Sequence, residues 1–188
     1  MDLLAIKQLK LCYAFRGKNP GVEDCITTKN DKIQWVIDDE KSKSSHFIDE
    51  EMPGKCLCIC NENNHDIVLL PIDHKLIKNH KGGIADCAIF DNVLFCFVEF
   101  KSNASGNSVL QVNETYEKAI KQLKETVNLF EKNMKQVKVE FRAVVEVNCD
   151  IVVAERFPRQ TATEQSLKIA FAKDMKGIPL YFSREIKF

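Results

Sequence analysis

Asp86, Glu99 and Lys101 bring two carboxylates and an ammonium into one short stretch of a 188-residue chain. That set suits a divalent cation and a phosphate. Mg²⁺ takes oxygen ligands in near-octahedral geometry and is usually held by one or two carboxylates, with waters and a substrate phosphate completing the shell. A metal held in this way acidifies a bound water and offsets charge on a phosphate. A lysine with an ordinary pKa near ~10.4 is charged at neutral pH, and there it positions water and stabilises charge. Burial beside a cation would instead lower its pKa towards that of a base.

The three residues meet only if the chain between them folds back. Ile84-Ala85-Asp86-Cys87-Ala88-Ile89-Phe90 runs into Asp91-Asn92, and Val93-Leu94-Phe95-Cys96-Phe97-Val98 runs out again. Two apolar runs around a two-residue polar turn read as a β-hairpin. With Asp91 and Asn92 as the turn, Phe90 pairs with Val93, and Asp86 falls opposite Phe97. Side chains alternate faces with period 2, so Asp86, Phe97, Glu99 and Lys101 share one face. Asp86 and Glu99 are then diagonal neighbours, roughly 7–8 Å apart. A three-residue turn would flip the parity and separate them.

Around this hairpin the patterning predicts strands over 32–37, 55–60 and 66–72, and a short helix over 45–52 stopped by Pro53-Gly54. The opening dozen residues fit an amphipathic helix with Leu3, Ile6, Leu9 and Tyr13 near one face. Residues 109–134 carry the clearest helical stripe: Val112, Tyr116, Ala119, Leu123, Val127, Phe130 and Met134 recur at intervals of three and four. A strand over 137–147, a helix over 163–175, a turn at Lys176-Gly177 and a last strand over 179–188 follow. The sum is an α/β fold, a central mixed β-sheet flanked by helices, forming one domain over 1–188.

An Asp entering one strand, a Glu-x-Lys ending the next, then a helix and a further strand resembles the core of the PD-(D/E)xK nuclease superfamily. Val98-Glu99-Phe100-Lys101-Ser102 is similar to the active-site strand of its small Holliday-junction-resolvase and restriction-endonuclease-like members. The resemblance covers about residues 55–148 and is one of pattern and order. It implies a restriction-endonuclease-like fold with N- and C-terminal additions. It makes Asp86 and Glu99 metal ligands, joined by the backbone carbonyl of Phe100, with Lys101 orienting or activating the attacking water. It further implies Mg²⁺ or Mn²⁺ as cofactor, phosphodiester hydrolysis in DNA, and a setting in prokaryotic defence, restriction or repair. Ala85 stands where the motif's name has Pro. Members commonly add a Glu from an N-terminal helix, for which Glu50 and Glu51 are the nearest candidates here. Without that Glu, one metal ion per site is the expectation.

Upstream of Asp86, Lys75, Lys78 and Lys81 precede Gly82-Gly83 and are candidates for contact with a phosphate backbone. A solvated basic loop is an equal reading. Lys118, Lys121 and Lys124 read as the wet face of the long helix. Cys56, Cys58 and Cys60 alternate with Leu57 and Ile59, so the thiols point one way along a strand. Structural zinc commonly takes Cys-x₂₋₄-Cys pairs. With no second pair at that spacing, core packing is the expected role. Trp35 reads as core.

Lys+Arg and Asp+Glu each number 27, so no global field draws in nucleic acid or membrane. DNA would have to be held by a local patch, by a homodimer or by a partner protein. No apolar run approaches the ~20 residues of a membrane span. The opening residues, broken by Lys7 and Lys10, do not read as a signal peptide, so the expected location is cytoplasmic and the eight cysteines are expected to be reduced. Two rival readings stand beside the nuclease. One is a nuclease-fold binding or assembly module with an unproductive acidic pair. The other is a zinc protein organised around Cys56, Cys58 and Cys60.

Overall fold

The computed structural model describes residues 9–78, 80–102, 108–153 and 161–188. The expected contributions of Leu3 and Ile6 to an opening helix lie outside these residues; the described part is α1, Leu11–Phe15. The strands are β1 Thr27–Lys29, β2 Ile33–Asp39, β3 Ser44–Ile48, β4 Leu57–Cys60, β5 Ile67–Pro71, β6 Cys87–Phe90, β7 Leu94–Lys101, β8 Glu146–Val153, β9 Leu180–Tyr181 and β10 Glu185–Lys187. The remaining α-helices are α2 Val109–Gln136, α3 Phe141–Val144 and α4 Thr161–Asp174, and Val22–Cys25 forms a 3₁₀ turn.

A six-stranded sheet runs in the order β1-β5-β6-β7-β8-β9, and a four-stranded sheet in the order β10-β4-β2-β3. The larger sheet is mixed. β1, β5, β6 and β7 are antiparallel neighbours, whereas β7, β8 and β9 run parallel. Parallel neighbours need a crossover, and α2 supplies it between β7 and β8.

The α/β class and the mixed sheet match the expectation, but among the described residues helices flank only one face. β6 and β7 are apolar on both faces, which requires cover on both. Ala88, Phe90, Phe95 and Phe97 pack with the buried stripe of α2, where the Phe97 and Phe130 rings meet edge to face at 4.9 Å. Cys87, Ile89, Cys96, Val98 and Phe100 pack against Val36, Leu57 and Ile59 of the smaller sheet. The layers are therefore helices, six strands, four strands. Among the described residues no helix is long and apolar enough to cross a membrane.

Three local expectations fail for identifiable reasons. Residues 45–52 do not form a helix. Asp39 accepts the N–H groups of Lys41 and Ser42 at 3.2 and 3.1 Å, and Lys43 takes φ 49°, so the chain turns sharply and β3 pairs back on β2. The strand expected over 137–147 begins only at Glu146, because Lys138 leaves α2 at φ 59° and residues 141–144 form the short helix α3. The last strand divides between the two sheets. Asp150, only 2 % exposed, accepts the Ser183 N–H at 2.9 Å and the Ser183 hydroxyl, and this pins the crossing from β9 to β10.

Trp35, Cys58 and Cys60 are not core residues. Gln34, Val36, Leu57 and Ile59 are the buried positions of β2 and β4, so the alternation turns Trp35 and the two thiols to the outer face. Cys56, just before β4, is buried as expected.

Candidate functional site

The hairpin register differs from the expected one by two residues. Phe90 pairs with Phe95, Ala88 with Phe97 and Cys87 with Val98. Asp91 explains the shift. Its N–H donates to the Leu94 carbonyl at 3.0 Å, and its carboxylate accepts the N–H groups of Val93 and Leu94, each at 2.7 Å. Asp91 is therefore the last paired residue, and the turn is Asn92-Val93. Because side chains repeat every two residues, an even slip leaves each on its original face. Extending the ladder brings Asp86 level with Glu99 rather than diagonal to it.

Asp86 leaves the ladder at this point and uses its side chain instead. Its carboxylate accepts the Phe100 N–H at 2.6 Å, while its carbonyl accepts the Ile72 N–H at 2.8 Å. Gly82 and Gly83, at φ 106° and 81°, turn the chain into this position. Gly83 also lies so close to α2 that a Cβ there would meet the Gln122 side chain at 3.1 Å. Gln122 joins the two sides of the site. It donates to the Ile84 carbonyl at 3.1 Å and accepts from Lys101 Nζ at 3.2 Å. One turn further along α2, the Thr126 hydroxyl accepts the Ala85 N–H at 2.7 Å. The Lys101 ammonium also pairs with Glu99.

Asp86, Glu99, Phe100, Lys101 and Gln122 line a cavity of about 380 Å³ at the C-terminal end of β7. Asp38 and Glu40 close it from the smaller sheet, and Thr115, Lys118 and Gln122 from α2. The crowding of carboxylates shows in their acidities. Burial pushes Glu99 up to about 7, against the pull of Lys101 and with help from Asp38 and Asp73. Burial also raises Asp86 well above the usual carboxylate range, followed by the repulsion of Glu99 and Asp38. Asp38 is raised chiefly by burial, although the Ser45 hydroxyl opposes it. Glu99 is 1 % exposed, and its Oε2 is buried without a hydrogen-bond partner. An unpartnered buried carboxylate oxygen among raised carboxylates fits a divalent cation. The cavity does not bring three His, Cys, Asp or Glu ligand atoms within 4.8 Å of one another; among the described residues that spacing occurs only at Cys58, Cys60 and Glu185. A cation in the cavity would take two carboxylates together with backbone and water oxygens, a usual Mg²⁺ arrangement.

Asp86, Glu99, Phe100 and Lys101 therefore come together as the sequence predicted. Lys75, Lys78 and Lys81 are exposed and do not line the cavity. Lys75 and Lys78 lie near Cys25 instead. Glu50 and Glu51 are also exposed and away from the cavity lining. Arg142, Arg156 and Arg159 are the other candidates for contact with DNA; Arg142 is engaged with Glu131 and with the Met175 carbonyl, and Arg156 and Arg159 lie outside the described residues. The sequence does not single out Asp38 or Gln122, and it marks Lys118 only as part of the wet face of α2. Thr115, Lys118 and Gln122 recur at helical spacing beside the apolar stripe, and that was the available signal. No family model, curated protein or solved structure matches this chain.

Proposed function

We propose that this chain is a Mg²⁺- or Mn²⁺-dependent endonuclease acting on DNA, of the PD-(D/E)xK type, with a restriction-endonuclease-like core. The observation that carries this reading is the Glu99 Oε2 atom, buried without a partner in a cavity that also holds Asp86, Asp38 and Lys101. Asp86 and Glu99 would hold the cation, with the Phe100 carbonyl as a further donor on the strength of the family resemblance. The bound metal would supply Lewis acidity towards a phosphate and a more acidic water.

The chain's own residues do the rest. Asp86 is oriented by the Phe100 N–H, so its second oxygen has a defined direction. Gln122 steers the Lys101 ammonium into the cavity, where it can position a water and stabilise charge on phosphate oxygens. Lys118, exposed on α2 at the cavity lining, offers a cation to the incoming backbone.

A cleavage assay tests the proposal on single-stranded, duplex and branched DNA with Mg²⁺ or Mn²⁺. The wild-type protein should cut at least one substrate in a metal-dependent way. Asp86→Asn, Glu99→Gln and Lys101→Ala should each abolish cutting while the fold persists. Cutting by all three variants at the wild-type rate, or no cutting by wild type with either metal, would overturn it.

A further inference from the structure

We infer that Cys58, Cys60 and Glu185 form a second metal site, selective for a thiophilic cation such as Zn²⁺, on the outer face of the four-stranded sheet. Their three ligand atoms lie within 4.8 Å of one another. The Cys58 and Cys60 sulfurs are 3.9 Å apart. Two thiolates on tetrahedral zinc, each with Zn–S of ~2.3 Å, stand about 3.8 Å apart, so the pair already has the edge length of such a site. That separation follows from the fold. Residues two apart on a strand project from the same face, and the inward turn of Leu57 and Ile59 sends both thiols outward.

The third ligand comes from another strand. β10 runs parallel to β4 with Glu185 opposite Cys58, which sets the carboxylate beside the thiols. Both cysteines are half-buried and Glu185 is exposed, so an ion can enter from solvent. Lys187, opposite Cys60 and 3.6 Å from Glu185, is the only opposing charge that this register brings in among the described residues, and at 69 % exposure it can swing away. Three protein ligands leave the fourth tetrahedral position to water.

The chemistry separates this site from the acidic cavity. Thiolates select Zn²⁺ and related soft cations, whereas oxygen-only donors suit Mg²⁺ and Mn²⁺. An ion here would also tie the C-terminal strand to the sheet, because its ligands come from both β4 and β10. The inference is independent of the nuclease reading.

The site carries its own reporter. Trp35, the only tryptophan in the chain, pairs directly with Cys58 across β2 and β4. Metal-free full-length protein, kept reduced, is titrated with Zn²⁺ or Co²⁺ in excess Mg²⁺. Trp35 fluorescence, native mass and absorbance are recorded. One Zn²⁺ per chain should bind, Trp35 emission should change, and Co²⁺ should give a thiolate-to-metal charge-transfer band. The Cys58→Ser/Cys60→Ser protein should lose all three responses. Glu185→Gln should weaken binding at least about tenfold, the loss typical even for outer-shell partners. Asp86→Asn/Glu99→Gln should leave Zn²⁺ binding unchanged. Absence of the cobalt–thiolate band in the wild-type protein would overturn the inference whether or not the variants fold. Unchanged Zn²⁺ uptake by a folded double-serine protein would overturn it as well.

Discussion

Glu99 should make the metal-free protein less stable as pH rises. Its folded pKa is about 7, raised by burial against the pull of Lys101, while in the unfolded chain it titrates near the ordinary ~4.3. Between those values the folded protein keeps a proton that the unfolded chain has released. Excess protons on the native state mean that stability falls with rising pH. The protonated carboxyl carries no penalty below the unfolded value, and the full penalty is present above the folded one. At ~1.36 kcal/mol per pH unit the fall is about 4 kcal/mol. For a domain of this length that corresponds to a drop in Tm of about 8–16 °C. Asp86, Asp38 and Asp150 are shifted in the same direction and add to the slope. Glu99→Gln should remove only the Glu99 share, because an amide does not titrate. Urea unfolding in EDTA from pH 5 to 8 reads this directly. The variant should match or trail wild type at pH 5 and lead it at pH 8. Mg²⁺ should restore wild type most at pH 8 and do little for the variant. A wild-type stability that is flat or rising across this range in EDTA, or an identical slope in Glu99→Gln, would refute the reasoning.

Thr126→Val keeps the side-chain shape but leaves the buried Ala85 N–H without its acceptor, at a cost of about 1–3 kcal/mol by denaturant unfolding. Cleavage should fall with it, since Ala85 leads directly into Asp86, and Thr126→Ser should recover both. Lys118→Ala should lower the slope of log DNA affinity against log salt by about one. Lys75→Ala/Lys78→Ala/Lys81→Ala should change it less, because those side chains lie away from the cavity; a larger effect from the triple variant would move the DNA path to that loop.

What was legible in the sequence was whatever depended on parity or on local spacing. The stripe from Val112 to Met134 is a property of one helix, and all seven of its residues are buried. The meeting of Asp86 and Glu99 survived a wrong register because the slip was by two residues, and a slip by one would have separated them. The capping carboxylate of Asp91 was the missed signal: an Asp that accepts the next free N–H groups belongs before a turn, not inside it. Asp38 was beyond local reading. It reaches the cavity only because the smaller sheet packs on the larger one, an arrangement set by the two-faced apolarity of β6 and β7. Cys58 and Cys60 were read as core for the same reason. Period 2 shows that they share a face but not which face is covered.

Overall composition conceals the electrostatics that matter. The chain is neutral as a whole, yet the cavity is lined by the carboxylates of Asp38, Glu40, Asp86 and Glu99 against only the ammonium groups of Lys101 and Lys118. Four formal negative charges facing two positive ones repel a phosphodiester, and their mutual repulsion adds to burial in raising the pKa values of Asp86 and Glu99. Glu99, raised to about 7, is only partly ionised at neutral pH, and Asp86 is shifted in the same direction. A proton at each carboxylate relieves the repulsion but leaves nothing to hold a phosphate. A divalent cation would relieve it and turn a repulsive cavity into an attractive one, because its charge equals the formal deficit. On this argument the raised carboxylates and the unpartnered Glu99 oxygen are not defects in packing. Under the proposed function they are the state of the cavity before its ion arrives, and the stability expected to be lost with rising pH is the energetic measure of it.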